Sequence, residues 1–294
     1  MEIFGIPLQA FLGQLLLGLV NGSFYAMLSL GLAVIFGLLG IVNFAHGALY
    51  MIGAYVAFGL TEKLGVGFWG ALVIAPLVVG ALGVAIERTL LKQLYNIDPI
   101  YGLLLTFGLA LIAEGIFRDQ FGVSGQQYPV PELLQGATNL GFMVLPNYRG
   151  FVIFASLAIC IATWYLIERT RLGSYLRAGT ENPKLVQAFG VNVPLMVMLT
   201  YGAGAGLAAV AGVLAAPVIQ LTPLMGSNLI IIVFAVVVIG GMGSIMGSIL
   251  TGLVLGLVEG LTKVFYPEAS SIVVFVIMAI VLVIRPAGLF GKER

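Results

Sequence analysis

The stretch ERTRLGSYLRAGTENPK at residues 168–184, together with the uncharged run that follows it, decides the fold class of this chain. It holds six of the chain's 25 charged side chains (13 Lys and Arg, 12 Asp and Glu) in 17 residues. The next 74 residues, 185–258, contain neither a charged residue nor a histidine. Such a chain buries long segments in a bilayer and keeps one short charged segment in water.

Composition excludes several classes of protein. The 294 residues are 61% hydrophobic and 9% charged, whereas soluble domains are about 25% charged. A net charge of +1 argues against nucleic acid as a partner. The single cysteine, Cys160, allows no intrachain disulfide.

The N-terminus lacks the basic segment of a removable signal peptide. The chain has no phosphate-binding GxxxxGK[ST] motif and no room for a nucleotide-binding domain, so ATP would have to be hydrolysed by another polypeptide.

Nine apolar runs predict membrane helices. They cover residues 9–36, 44–60, 68–87, 100–117, 150–167, 194–216, 228–240, 245–262 and 271–285. The expected fold class is an all-α polytopic transmembrane helix bundle of eight or nine spans, forming a single domain over 1–294, with a short cytoplasmic coupling helix.

Two interruptions of these helices are expected. Asn21, Gly22 and Ser23 are a candidate break or kink in the first helix. Residues 228–258 would measure roughly 46 Å as one helix, more than the ~30 Å hydrocarbon core. The glycine-rich segment 240–244 is therefore expected to interrupt them, either as a cytoplasmic turn or inside the membrane.

Basic residues orient the helices. They are concentrated in three regions that the positive-inside rule places in the cytoplasm: Arg88 and Lys92; Arg169, Arg171, Arg177 and Lys184; and Arg285, Lys292 and Arg294. The loop 118–149 has only Arg118 and Arg149 and is expected on the extracytoplasmic side. This alternation fits nine spans with the N-terminus outside, or eight if 228–262 is partly re-entrant.

Glycines recur at helical spacing. Gly252, Gly256 and Gly260 share one helix face, as do Gly202 and Gly206. Small residues four apart allow the backbones of two membrane helices to approach closely. The spacing leaves open whether the partner helix belongs to this chain or to another subunit, and we favour the same chain.

The charged stretch ends in a predicted short helix. Asn182 is a favoured N-cap residue, Pro183 suits the first helical position and Gly190 suits the residue past the end. Leu185, Ala188 and Phe189 share one face of the two turns between them. A helix this short is marginal in water unless another surface covers its apolar face. That surface is either the membrane interface or a groove in a cytoplasmic protein.

Four motifs resemble one family. TRLGSYLRAGTEN at 170–182, followed by AFGVN at 188–192, is similar to the cytoplasmic loop of the branched-chain amino acid permease family of ABC importers. IVNFAHG at 41–47 with YMIGAY at 50–55, GGMGS at 240–244 and RPAGLFG at 285–291 also match. The motifs occur in family order over nearly the whole chain. By length the chain is similar to the shorter of the two permease subunits.

The resemblance implies an assembly in the bacterial cytoplasmic (inner) membrane. It implies a second, related permease subunit, two cytoplasmic ATP-binding subunits that bind ATP and Mg, and an extracytoplasmic solute-binding protein. No cofactor is expected in this chain. The segment 168–190 becomes the coupling loop that docks on the ATPases. Its coupling helix runs from Asn182 to Gly190, with Gly173, Arg177 and Ala178 as the support of that helix.

Ionisable and polar residues at membrane depth are candidates for the translocation pathway: Asn21, Ser23, Asn43, His46, Glu114 and Glu259. Glu114 precedes Arg118 by four residues, which predicts an ion pair. Glu259 stands in the same relation to Lys263, and both a structural and a pathway role remain open. His46, the only histidine, lies three residues after Asn43 and is either a core residue or a gate.

Two other acidic residues, Glu87 and Asp98, are expected to be solvated helix ends. No constellation of side chains predicts a catalytic or metal site. The alternative to an ABC importer is a stand-alone ion-coupled secondary transporter or channel that uses Glu114, Glu259 or His46. Within the resemblance, branched-chain and other amino acids, urea and short amides all remain open as substrates.

Overall fold

The computed structural model describes residues 2–3, 6–40, 43–95 and 97–291, and these are mostly helical. The helices are α1 (Leu8–Leu39), α2 (Ala45–Leu64), α3 (Phe68–Thr89), α4 (Pro99–Phe121), α5 (Asn147–Arg169), α6 (Arg171–Glu181), α7 (Pro183–Ala188), α8 (Val193–Ala215), α9 (Met225–Gly240), α10 (Ile245–Phe265) and α11 (Val273–Ile284). Short 3-10 helices occupy Leu91–Leu94, Glu132–Leu134 and Pro267–Ala269. Two antiparallel hairpins pair β1 (Glu2–Ile3) with β2 (Ile6–Pro7), and β3 (Ala137–Asn139) with β4 (Val144–Pro146).

Each of the nine predicted apolar runs coincides with a helix. In the described ranges six helices are long and apolar enough to cross a membrane: α1, α3, α4, α5, α8 and α10. α9 and α11 are apolar but shorter, with 16 and 12 residues. The all-α membrane bundle is confirmed, and the count of eight or nine spans stays a prediction.

Two predicted interruptions have different outcomes. α1 continues as a helix through Asn21, Gly22 and Ser23, so no break occurs there. The run 228–258 is interrupted, because α9 ends at Gly240 and α10 begins at Ile245. Gly241 and Gly243 have φ values of 98° and 87°, a conformation that favours glycine and lets the chain reverse.

α1 is the central helix, and α10 packs along it through glycines. A methyl group at position 252 would lie 2.5 Å from the backbone nitrogen of Ala26, and one at 260 would lie 2.5 Å from the carbonyl oxygen of Gln14. Gly256 meets the backbone of Gly22 even more closely. These glycines therefore have their partner helix within the chain, as favoured from the sequence.

α8 completes the core between α2 and α3. Gly83 of α3 packs on Ala205, and Gly202 packs on the carbonyl oxygen of Gly80. α2 contacts α8 in the same way, where Gly53 meets Ala209. The interior is thus built from backbones in contact, which leaves it little freedom to rearrange.

One end of the bundle gathers the charged segment and the glycine turn. The residues after α11 return to this turn, where Leu289 donates its backbone N–H to the carbonyl of Ile239 (2.8 Å) and Phe290 donates to Gly240 (3.2 Å). Gly243 and Arg177 line one small cleft, so the turn 241–244 lies at the same end as the charged segment. Lys292 and Arg294, used above for orientation, and Ile41 and Val42 of the IVNFAHG motif lie outside the described residues.

The opposite end carries the loop predicted to be extracytoplasmic. α4 extends to Phe121 and α5 begins at Asn147, so the loop is shorter than 118–149. Gln126 and Leu221 exchange backbone hydrogen bonds of 2.9 Å, and the hydroxyl groups of Tyr128 and Thr61 lie 2.7 Å apart. The loop is therefore fastened to the end of α2 and to the connection between α8 and α9.

Candidate coupling site and buried polar residues

The predicted cap of the short helix is present. The side chain of Asn182 accepts a hydrogen bond of 3.0 Å from the backbone N–H of Leu185, and Pro183 is the first residue of α7. Gly190 has a φ of 84° and donates its N–H to the carbonyl of Gln187 at 2.9 Å. Both ends of α7 therefore have the local capping groups that the sequence predicts.

The apolar face of α7 has no cover among the described residues. Phe189 is 80% exposed and Leu185 is 54% exposed, and Ala188 between them is also exposed. Only Val186 turns inward and is buried. The six-residue helix therefore presents an exposed apolar face at the surface of the described structure.

α6 is the support of α7, and sequence reasoning did not predict it as a helix. Gly173 packs so closely on the carbonyl of Ile167, in the last turn of α5, that no side chain fits between them. Arg177 donates to the carboxylate of Glu168 at 3.0 Å and to the Ile167 carbonyl at 3.3 Å. Ala178, the third predicted support residue, is exposed. Because both members of the ion pair are about half exposed, the pair orients α6 more than it stabilises the fold.

A cavity of about 90 Å³ joins this support to the membrane helices. Arg177 and Thr180 of α6 line it on one side, and Gly37 of α1 and Gly243 of the glycine turn line it on the other. The cavity therefore lies between α6 and the ends of the central helices α1 and α10.

Glu259 is held between two helices. It accepts a hydrogen bond of 2.6 Å from the hydroxyl of Tyr25 in α1 and forms a 2.5 Å ion pair with Lys263 in α10. The predicted Glu259–Lys263 pair is thus present. The hydrogen bond from Tyr25 links Glu259 of α10 to α1.

His46 and Asn43 are fully enclosed at the start of α2. Nε2 of His46 lies 3.1 Å from the carbonyl oxygen of Leu28, so Nε2 must carry the proton, and Nδ1 is a bare acceptor. Asn43 donates its Nδ2 to the hydroxyl of Tyr201 at 3.0 Å. Nδ1 of His46 and Oδ1 of Asn43 have no hydrogen-bond partner in the described part of the chain. Both residues are 2% exposed or less, which places them in the core.

The remaining pathway candidates lie apart from these. Ser23 is buried and bonds to the carbonyl of Leu19 in its own helix at 2.8 Å, and Asn21 is partly exposed. Among the residues that the structure describes, no base lies within 4.0 Å of the Glu114 carboxylate, so the predicted ion pair is not in direct contact, although Arg118 is near enough to interact with Glu114 electrostatically. The six candidates are therefore spread over several helices and do not form one cluster.

Glu87 was expected to be solvated, and this expectation is wrong. Only 2% of Glu87 is exposed, and it accepts a hydrogen bond of 2.5 Å from the hydroxyl of Tyr95. Burial, and then this bond, raise the pKa of Tyr95 far above its ordinary value. The 3-10 helix Leu91–Leu94 folds the chain back to make the contact, and no periodicity in the sequence signals it. Asp98 is exposed as expected and caps α4 through Ile100.

Comparison with known proteins gives the family. The family described as "Branched-chain amino acid transport system / permease component" matches residues 14–282. The chain belongs to this family. It is 30% identical to the high-affinity branched-chain amino acid transport system permease protein LivH of Escherichia coli (strain K12), over 97% of this chain and 96% of the relative. It is 32% identical to the corresponding protein BraD of Pseudomonas aeruginosa, over 97% of each chain.

A more distant relative is the probable branched-chain amino acid transport permease protein LivH of Methanocaldococcus jannaschii, 27% identical over 74% of this permease and 72% of the relative. No solved structure matched the chain. The resemblance inferred from the four motifs is confirmed. This permease is an integral protein of the cytoplasmic membrane that crosses the bilayer several times.

Proposed function

We propose that this permease is the transmembrane subunit of an ATP-driven ABC importer and that it translocates amino acids across the cytoplasmic membrane. The observation that carries the proposal is the uncovered apolar face of α7, formed by Leu185, Ala188 and Phe189, on a capped helix held by α6. Two cytoplasmic ATP-binding subunits would bind this face. They would bind ATP and Mg and move α6 relative to the central helices.

The proposal also implies a partner at the extracytoplasmic end of the bundle. The fastened loop 122–146 presents exposed apolar side chains such as Val123 and Leu133. An extracytoplasmic solute-binding protein would deliver its cargo there. A second permease subunit would complete the membrane part. The printed names of the relatives make branched-chain amino acids the first substrates to test.

The buried polar residues support a rigid core. Asn43, His46 and Glu259 each make contacts that join two helices. An ion-coupled carrier would need such groups to exchange with solvent. Asn43 and His46 are at most 2% exposed, and their enclosure favours an importer that is driven from outside the membrane.

The test compares two arginines on one helix. Ala188→Arg places a charge in the apolar face of α7, and Gln187→Arg places the same side chain on its opposite, exposed side. We expect Ala188→Arg to insert normally, to lose the ATP-binding subunits on purification and to abolish uptake of labelled leucine. Gln187→Arg should retain both properties. Normal uptake by Ala188→Arg, or transport by the purified chain without ATPase subunits, contradicts the proposal.

A further inference from the structure

An open groove of about 1030 Å³ runs between α3, α5 and α8, three of the helices long enough to cross the membrane. The described residues that line it are apolar, apart from Thr163, Thr200, Asn192 and the hydroxyl group of Tyr175. The hydroxyl of Thr200 is already bonded, at 2.8 Å, to a carbonyl of its own helix. A groove of this composition takes an apolar occupant.

Small residues create the groove. Gly202 of α8 packs on the carbonyl oxygen of Gly80 in α3, which brings the two helices close together. Next to this contact Ala81 and Ala203 line the groove, and both are exposed. The groove is therefore a space that the side chains of this permease leave unfilled.

Aromatic rings close the groove at one end. The rings of Trp69 in α3 and Phe151 in α5 meet with their centroids 5.5 Å apart, and the lining begins one turn further along α3, at Leu72. At the other end Leu172 and Tyr175 of α6 line it. The groove therefore extends from within the membrane to the end of the bundle that carries the charged segment, which is the predicted cytoplasmic end.

The length of the groove matches one leaflet of a bilayer. Its lining runs from Leu72 to Val84 along α3 and from Leu195 to Val210 along α8, which is roughly 18 Å and roughly 22 Å of helix. One leaflet contributes about half of the ~30 Å hydrocarbon core. The groove is therefore long enough to hold an entire acyl chain.

Two arginines without partners lie at the charged end of the groove. Arg88 follows Leu77 by about three turns of α3, so both residues lie on the face that borders the groove. Arg171 precedes Tyr175 by one turn of α6. Both arginines are exposed, and among the described residues neither side chain has an ion pair or a hydrogen bond. Two free cations at the mouth of an apolar groove are complementary to a phosphodiester above an acyl chain, and the surrounding membrane supplies both parts of that ligand.

We infer that the groove binds an anionic phospholipid of the leaflet on the charged side, with one acyl chain against Ala81 and Ala203 and its phosphate between Arg88 and Arg171. The bound lipid also contacts Tyr175, so it packs beneath α6, the support of α7. The inference does not rest on the proposed function, because it needs only this chain and the membrane.

The first experiment tests recognition of the headgroup. The full-length chain is purified in detergent, stripped of lipid and titrated with phosphatidylglycerol or phosphatidylcholine, and bound lipid is counted by native mass spectrometry. We expect the unaltered chain to prefer phosphatidylglycerol. The double variant Arg88→Gln/Arg171→Gln should bind it about 30-fold more weakly, which is about 2 kcal/mol at 1.4 kcal/mol per factor of ten and is the contribution of two arginines near an anionic surface. The control Arg118→Gln/Arg149→Gln, which removes two charges at the opposite end of the bundle, should bind it like the unaltered chain.

The second experiment locates the acyl chain. Phosphatidylglycerol with a photo-reactive diazirine in its acyl chain should label residues 195–210 of α8. Ala203→Phe fills the groove and should abolish this labelling, whereas Ala158→Phe adds the same ring at an exposed position of α5 outside the groove and should not.

Three outcomes overturn the inference. The first is equal binding of the two lipids by the unaltered chain, or unchanged binding of phosphatidylglycerol by Arg88→Gln/Arg171→Gln. The second is labelling of other helices in place of α8. The third is loss of the label on co-expression with other subunits of the importer, which would assign the groove to a protein contact. Should Ala203→Phe misfold, the arginine variants decide, because both of their side chains lie on the surface.

Discussion

Gly256→Ala should separate the two central helices. The added methyl group would lie 2.5 Å from the carbonyl oxygen of Gly18 and closer still to the backbone of Gly22, where ordinary contacts are 3.4 Å or more. All these atoms belong to the backbone of α1 and cannot rotate away. α1 and α10 must therefore move apart by about 1 Å, which also loosens the contacts of Gly252 and Gly260.

The expected cost follows from that geometry. Overpacking a core costs about 1–3 kcal/mol, and a clash of backbone with backbone belongs at the upper limit. About 3 kcal/mol corresponds to a roughly 150-fold shift toward the unfolded state and to a fall in the unfolding midpoint of about 6–12 °C. The control is Gly59→Ala, which meets nothing within 4 Å and should leave the midpoint unchanged or raise it slightly, because alanine favours a helix.

Cys160 provides the assay. It is the only cysteine and is fully buried, so a thiol-reactive fluorescent dye reports the unfolding of the purified protein on heating. We expect the Gly256→Ala protein to label at a lower temperature than the Gly59→Ala protein. If both label at the same temperature, the close α1–α10 packing and the reasoning built on it are wrong.

Two further predictions address the polar contacts. Tyr25→Phe removes the hydroxyl group that donates a hydrogen bond to the carboxylate of Glu259. The free energy of unfolding should fall by about 1.5–3 kcal/mol, the range for a hydrogen bond to a charged group. The dye assay measures this change, and an unfolding midpoint equal to that of the unaltered protein would show that the bond does not stabilise the α1–α10 contact. Asn182→Ala removes the N-cap of α7 and should destabilise that helix by about 1 kcal/mol. ATPase subunits should then bind less tightly, while the unfolding midpoint measured at Cys160 stays constant. Unchanged binding of the ATPase subunits would show that docking does not depend on the cap.

Several features could be predicted because they depend on neighbours along the chain. Apolar runs gave the helices of the bundle, since any segment in a bilayer must satisfy its own backbone hydrogen bonds. Asn182, Pro183 and Gly190 gave both ends of α7, because a cap needs only residues within one or two turns. The interruption at Gly241 followed from the length of a helix relative to the thickness of a membrane.

Contacts between distant segments could not be predicted in this way. Glu87 looked like a solvated helix end, yet Tyr95 and the surrounding helices bury it. Glu114 has Arg118 at the favourable spacing and interacts with it electrostatically, yet the two side chains are not within 4.0 Å. Spacing places side chains on one face of a helix but does not say what that face meets.

The amino-acid sequence by itself determined that this protein is a membrane bundle with a capped, charged segment outside the bilayer. Hydrophobicity and capping act locally, so they can be read from consecutive residues. Only the tertiary structure decided which helices the glycines join, because backbone contact depends on how helices hundreds of residues apart are placed. It also decided that the apolar face of α7 remains uncovered in the described structure, and this is the surface on which the ATP-binding subunits are expected.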